Sequence, residues 1–206
     1  MRFSGRLVAF APAVLEVRIL GAVEVFDDGR LVAVGGSRQQ ATLVFLALHP
    51  DERVSVQQLI DGIWGERPPG SAVKTVRAYI SRLRTALGDG AVVADHGGYR
   101  LQTTDVRVDA LRFAELVRAA HRALADDAAL VAERVLDEAL GLWRGESVGE
   151  GAELEGLSAE AQQLADAKLV AEELRLDAWL MLGRNDLAIQ AAERLVEREP
   201  LREGLW

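Results

Sequence analysis

Residues 70–88 read GSAVKTVRAYISRLRTALG, and their spacing decides the fold of the first half of the chain. At 3.6 residues per turn, Val73, Val76, Ile80, Leu83 and Leu87 form one apolar stripe, the core face of an amphipathic helix. Lys74, Arg77, Ser81 and Arg84 form a neighbouring stripe, and Arg82 points away from it. Between Ser71 and Leu87 there are four basic residues and no acid, in a protein whose formal net charge is -8. Solvated helix faces usually mix signs so that i,i+4 pairs form. A helix face of one sign in an acidic protein points instead to an anionic partner, phosphate above all.

Working outward, the segments before and after this helix give it a setting. Ser55 with Gln58 forms a capping box that opens a helix over 56–64, and Pro68-Pro69-Gly70 breaks the chain before the basic helix. Ser37 with Gln40 forms a similar box for an earlier helix that stops before Pro50. Further upstream, residues 15–26 alternate as one or two strands, and Asp28-Gly29 supplies a hairpin turn into residues 31–34. Downstream, residues 91–103 read as two short strands turning at Gly97-Gly98. The order is that of a winged helix, with 56–64 and 71–87 as the helix-turn-helix pair and 91–103 as the wing.

Each part has a physical use. A helix about 10–12 Å across fits a major groove about 12 Å wide. The helix amides near Ser55 can meet a phosphate, and His96 and Arg100 on the wing can reach the backbone or minor groove. The candidate DNA-contacting set is therefore Lys74, Arg77, Ser81, Arg82, Arg84, Ser55, His96 and Arg100, with Arg82 divided evenly between a phosphate contact and a salt bridge. Tyr79 and Trp64 read as packing residues, and Tyr99 as the anchor of the wing.

Residues 38–101 resemble the DNA-binding domain of the Streptomyces antibiotic regulatory protein family, which shares the winged helix of response-regulator effector domains. The pieces that carry the resemblance are Ile63-Trp64-Gly65, Pro68-Pro69, Tyr79-Ile80-Ser81-Arg82-Leu83-Arg84 and, after a gap, GGYRL at 97–101. Their order and spacing make the match specific where any one tripeptide would not be.

The second half differs in charge. Residues 1–104 hold 12 basic and 10 acidic residues, a net of +2, and residues 105–206 hold 12 and 22, a net of -10. TDVRVD reads as a short polar connector between two modules packed side by side, with Asp109 as the N-cap of the first helix of an all-helical region. A Gly- and Glu-rich loop at 144–156 is expected to be solvated, including Glu146, Glu150, Glu153 and Glu155. Helical patterns follow over about 158–182 and 186–199, and Gly183, Ala188, Ala192 and Pro200 are spaced as in a tetratricopeptide repeat, with Trp206 beginning the next.

In the same family the winged helix is followed by a bacterial transcriptional activation domain of this repeat type. LGLWRGE (140–146) and REPLREGLW (198–206) look like its recurring segments, and in the family the domain continues past Trp206. The expected fold is thus an α+β winged helix-turn-helix with a small antiparallel sheet over 15–104, then an all-α TPR-like domain over 105–206. Residues 1–14 are expected to be an extension outside both. The resemblance implies an activator that binds direct repeats in promoter DNA and contacts RNA polymerase or a second protomer as a homodimer.

Other chemistry is not indicated. There are no cysteines, which excludes disulfides and thiolate sites and fits a reducing, cytoplasmic setting. No apolar run approaches the ~18 residues of a membrane span, and the chain contains no phosphate-loop, zinc-protease or serine-hydrolase motif. No cofactor or metal is expected, because His49, His96 and His121 lie far apart in unlike elements. The rival reading is a protein-interaction scaffold that uses the helical repeats, with the basic helix as mere surface.

Overall fold

The computed structural model describes residues 15–152 and 158–199. The 1–14 extension, Glu153, Glu155, Pro200 and Trp206 lie outside the described residues. The chain opens with β1 (Leu15–Arg18), β2 (Gly21–Ala22), β3 (Glu24–Asp27) and β4 (Arg30–Leu31). In β1 the alternation buries Leu15 and Val17 and turns Glu16 and Arg18 outward, where they pair at 2.9 Å. Asp28 and Gly29 both take positive φ, 48° and 76°, as a two-residue hairpin with right-handed strand twist requires. The strand expected over 31–34 is shorter: Arg30 and Leu31 pair with β3, and the Val32 N–H adds one bond to the Val25 carbonyl at 2.8 Å.

The helices α1 (Ser37–Leu48), α2 (Val56–Trp64) and α3 (Ala72–Leu87) follow, with the two-residue strand β5 (Val54–Ser55) before α2. The box expected at Ser37 is replaced by another cap. Gly36 is the N-cap, and the Gln40 amide reaches back to the Gly35 carbonyl at 3.1 Å. The box at Ser55 forms in full: Gln58 N–H donates to Ser55 Oγ at 3.1 Å, and Ser55 N–H to Gln58 Oε1 at 2.9 Å. Losing that cap by Ser55→Ala is expected to cost about 0.5–2 kcal/mol in a urea unfolding curve.

The interface between α1 and α2 is built around Gly62, where an added Cβ would lie 2.1 Å from the ring of buried Phe45. Gly62→Ala gains roughly 1 kcal/mol in helix propensity, but a ring packed on all sides cannot yield that far. A net loss of about 1–3 kcal/mol by urea titration is expected.

Two strands, β6 (Val92–Asp95) and β7 (Gly98–Leu101), form the wing and pair with β5 in the order β5-β7-β6. The turn lies one residue earlier than the sequence suggests. His96 and Gly97 carry the positive φ values, 36° and 86°, while Gly98 sits in the strand. The reason is contact: a Cβ on Gly98 would fall 2.2 Å from the Val54 carbonyl oxygen across the β5–β7 pair.

The segment expected to be a polar connector contains a strand. β8 (Val106–Val108) runs parallel to β1 and completes a sheet of order β4-β3-β1-β8. Val106 and Val108 point into the core while Arg107 faces out, so the alternation of VRV decides the outcome.

The helices α4 (Asp109–Ala125) and α5 (Ala129–Gly141), the strand β9 (Val148–Glu150), and α6 (Ser158–Met181) and α7 (Asn185–Arg198) complete the chain. Successive helices pack against one another, and Gly183, at φ 71°, turns α6 into α7. Ala188 and Ala191 are buried along the α7 contact face, with Leu195 at its end.

One core joins both halves. It runs from Leu15 and Val17 through Leu43 and Leu83 to Phe113, Leu136 and Leu174. Asp109 is central to the join and is not the N-cap, a position that Val108 holds. The residue is 6% exposed, and its carboxylate accepts the N–H groups of Ile19 at 2.8 Å and Leu20 at 3.0 Å, with the Arg144 guanidinium at 3.1 Å. Burial pushes its pKa up, and the two amides and Arg144 oppose that rise.

Arg144 also holds Glu24 at 2.6 Å, so this pair ties the first sheet to the start of α4 and the end of α5. Of the loop expected to be solvated, Glu146 and Glu150 are exposed, while Val148 and Gly149 between them are buried and docked. β9 runs alongside β2, and the Glu150 carboxylate caps the N–H groups of Glu146 at 2.7 Å and Ser147 at 3.1 Å.

Candidate nucleic-acid interface

Helix α3 is held from beneath by Ala72, Val76, Ile80, Leu83 and Leu87, all buried. Tyr79 is half-buried and stacks on Trp64 of α2, with ring centroids 6.5 Å apart at 19°. Both aromatics are thus packing residues that fix the angle between α2 and α3. With the core face occupied, the opposite face is open. Lys74, Arg77, Ala78, Ser81, Arg82 and Thr85 are all exposed on it.

At about 100° per residue, Lys74, Ala78, Ser81 and Thr85 run along the middle of this face, and Arg77 and Arg82 flank it on opposite sides. Arg82 therefore belongs to the open face after all, and it makes no ion pair with any described residue. Val73, assigned by spacing to the core stripe, is 46% exposed. At about 100° per residue it sits at the edge of the buried face, beside Ala72 and Val76, which take the covered positions.

Arg84 is arranged differently from its neighbours on the stripe. It is half-buried, its Nε donates to the Val92 carbonyl at 2.7 Å, and its guanidinium lies 5.8 Å from the Tyr99 ring. It braces the wing against α3, together with the Tyr99 anchor that the sequence suggests. Arg100 is also half-buried and faces Asp95 across the wing hairpin at 3.7 Å. His96 stands exposed at the wing tip.

The exposed Arg53 donates to the His96 carbonyl at 3.4 Å, which places one more cation at the wing. Sequence reasoning passed over Arg53; its position directly before the β5–α2 cap was the available signal.

Ser55 spends its hydroxyl and amide within the capping box. Of the four N–H groups that a helix start leaves unpaired, the box satisfies those of Ser55 and Gln58. Those of Val56 and Gln57 remain for an external acceptor, which is the geometry of an anion-binding helix start.

Among the described residues no group of three histidine, aspartate or glutamate side chains is placed to hold a metal. No described helix is long and apolar enough to cross a membrane. The arrangement offers exposed cations and small polar side chains on α3, amides at the start of α2 and a cation at the wing, and this set suits a phosphate backbone with base edges between.

Comparison with known proteins bears on the same elements. Residues 34–101 match the family model for the C-terminal domain of transcriptional regulatory proteins, and residues 108–206 match that of the bacterial transcriptional activator domain. The transcriptional regulatory protein MoaR1 of Mycobacterium tuberculosis is 32% identical over 210 residues, covering 98% of this chain and 68% of that protein. The regulatory protein AfsR of Streptomyces griseus is 34% identical over 193 residues, covering 93% of this chain.

The chain spans only 20% of the length of that AfsR. A solved structure of Mycobacterium tuberculosis EmbR in complex with a low-affinity phosphopeptide superposes with a TM-score of 0.86 at 31% identity, covering 94% of this chain and 53% of that one. With both domains matched in order along the chain, the protein belongs to the Streptomyces antibiotic regulatory protein family of transcriptional regulators.

Proposed function

We propose that the chain binds promoter DNA in a sequence-specific manner, with α3 docked in the major groove and the helical module contacting RNA polymerase or a second protomer. The observation that carries this reading is the open face of α3. Lys74, Arg77 and Arg82 surround the small side chains of Ala78, Ser81 and Thr85, with no carboxylate on the helix. Small central residues let the helix approach base edges closely, and the flanking arginines reach bases or phosphates on either side.

In this proposal the amides at the start of α2 fix one phosphate, and His96 with Arg53 reaches the backbone beside the wing. Arg84 and Arg100 contribute through the wing they hold, with only their remaining donors turned to DNA. Tandem occupation of direct repeats by two copies belongs to the same proposal, as the resemblance to the Streptomyces antibiotic regulatory protein family implies.

Fluorescence anisotropy of labelled promoter fragments, at two salt concentrations, tests the reading. Binding at low salt that weakens steeply with added salt, and that differs between fragments, is the expected result. An absence of binding at low salt would favour the protein-interaction scaffold.

A further inference from the structure

The side chains on the open face of α3 differ in the base edges they can read. Over Ala72–Leu87 the helix reads AVKTVRAYISRLRTAL, with no asparagine, glutamine, aspartate or glutamate. A bidentate contact to adenine needs a carboxamide, and an acceptor for the cytosine amino group needs a carboxylate. This helix carries neither. It does carry guanidinium groups, which match guanine O6 and N7, and methyl groups, which match the methyl of thymine.

Position sorts these groups further. Arg77 and Arg82 are exposed, and neither side chain is held by an ion pair or hydrogen bond to a described residue. The five-residue step between them is about 7.5 Å along the helix axis and about 140° around it. That distance is about two base-pair steps of 3.4 Å, with one arginine toward each side of the groove floor. Between them along the axis, on the middle line of the face, stands exposed Ala78, whose side chain is a single methyl.

The neighbouring groups are less suited to reading bases. Arg84 has its Nε on the Val92 carbonyl at 2.7 Å, and Thr85 turns its hydroxyl back to the Ser81 carbonyl at 3.1 Å. Lys74 is a point charge without the planar fork of a guanidinium, which suits a phosphate as well as a guanine.

We infer that α3 reads guanine and thymine: Arg77 and Arg82 each take the O6 and N7 edge of one guanine, and the Ala78 methyl packs on a thymine methyl between them. The inference rests on the major-groove docking proposed above, and adds which bases are read and by which residue.

The probe is a duplex that the full chain recovers from a random-sequence pool, remade with single base analogues. Replacing guanine by 7-deazaguanine removes N7, replacing thymine by uracil removes the methyl, and 7-deazaadenine removes the adenine N7. All three changes lie in the major groove and keep base pairing. By anisotropy, 7-deazaguanine should weaken binding roughly tenfold at two guanines, the size of one hydrogen bond to a charged group. Uracil at a thymine between them should weaken it about fourfold, the size of one buried methyl. The adenine analogue should leave affinity unchanged at every position.

Double cycles assign the contacts. Arg77→Ala should abolish the response at one of the two guanines, Arg82→Ala the response at the other, and Ala78→Gly the response to uracil. No recovery of a preferred duplex at low salt would remove the docking of α3, and this inference would fall with it. A preferred duplex with equal losses at adenines, or with responses unchanged in all three variants, would overturn the base assignment and leave the docking standing.

Discussion

Asp109→Ala is expected to lower the stability of the whole chain by about 3–5 kcal/mol, the loss seen when one partner of a buried charge pair is removed. The size follows from what is stranded. The Ile19 and Leu20 amides lose their acceptor, and the Arg144 guanidinium loses its buried partner and keeps only the more exposed Glu24 and the Ala22 carbonyl. Buried donors without acceptors each cost about 1–3 kcal/mol, so the amides alone account for much of the loss.

Arg144→Ala should cost less, because its side chain is 26% exposed and water can reach what it leaves. The double variant should then be less destabilised than the sum of the single ones, with a coupling of about 0.5–3 kcal/mol. Urea unfolding of the four proteins checks this. Fully additive losses would mean that the two residues do not act as a clamp. Since both halves share one core, the loss should appear in a single transition.

Removing cations from the open face of α3 should act on binding and leave folding alone. Lys74→Ala and Arg77→Ala remove exposed side chains with no packing role, so their unfolding curves should match the parent within about 0.5 kcal/mol. A residue bidentate to a base would lose about 1–3 kcal/mol of DNA affinity and relax selectivity at one position. A residue on a phosphate would weaken all sequences alike and reduce the slope of log K against log salt by about 0.9. Arg84→Ala is expected to behave otherwise, weakening binding and also loosening the wing, because its Nε holds the Val92 carbonyl.

These contrasts show what the sequence discloses and what it hides. The α2–α3 pair, the Ser55–Gln58 cap and the wing are legible because they rest on local rules of period, cap and turn. The TPR-like α6–α7 pair is legible for the same reason, in the spacing of Gly183 and Ala188. What local rules miss is what distant segments do to one another.

Asp109 looks like a helix cap until Ile19 and Leu20, ninety residues away in sequence, claim its oxygens. VRV at 106–108 looks like a linker until β1 offers it an edge. Arg84 and Val73 share the periodicity of their neighbours, yet one is covered by the wing and the other is left bare at the edge of the core face. Periodicity assigns a residue to a face of a helix, and only the surrounding fold decides whether that face is covered at that turn.

The central claim is that α3 is the DNA-facing element, and one titration addresses it most directly. Anisotropy of a single bound promoter duplex is measured for the parent, for Lys74→Ala/Arg77→Ala, and for Arg118→Ala, an exposed cation on α4 outside the winged helix. A loss of about tenfold or more in the double variant, with Arg118→Ala unchanged, is the predicted result. Equal affinity in all three, with intact folding, would contradict it.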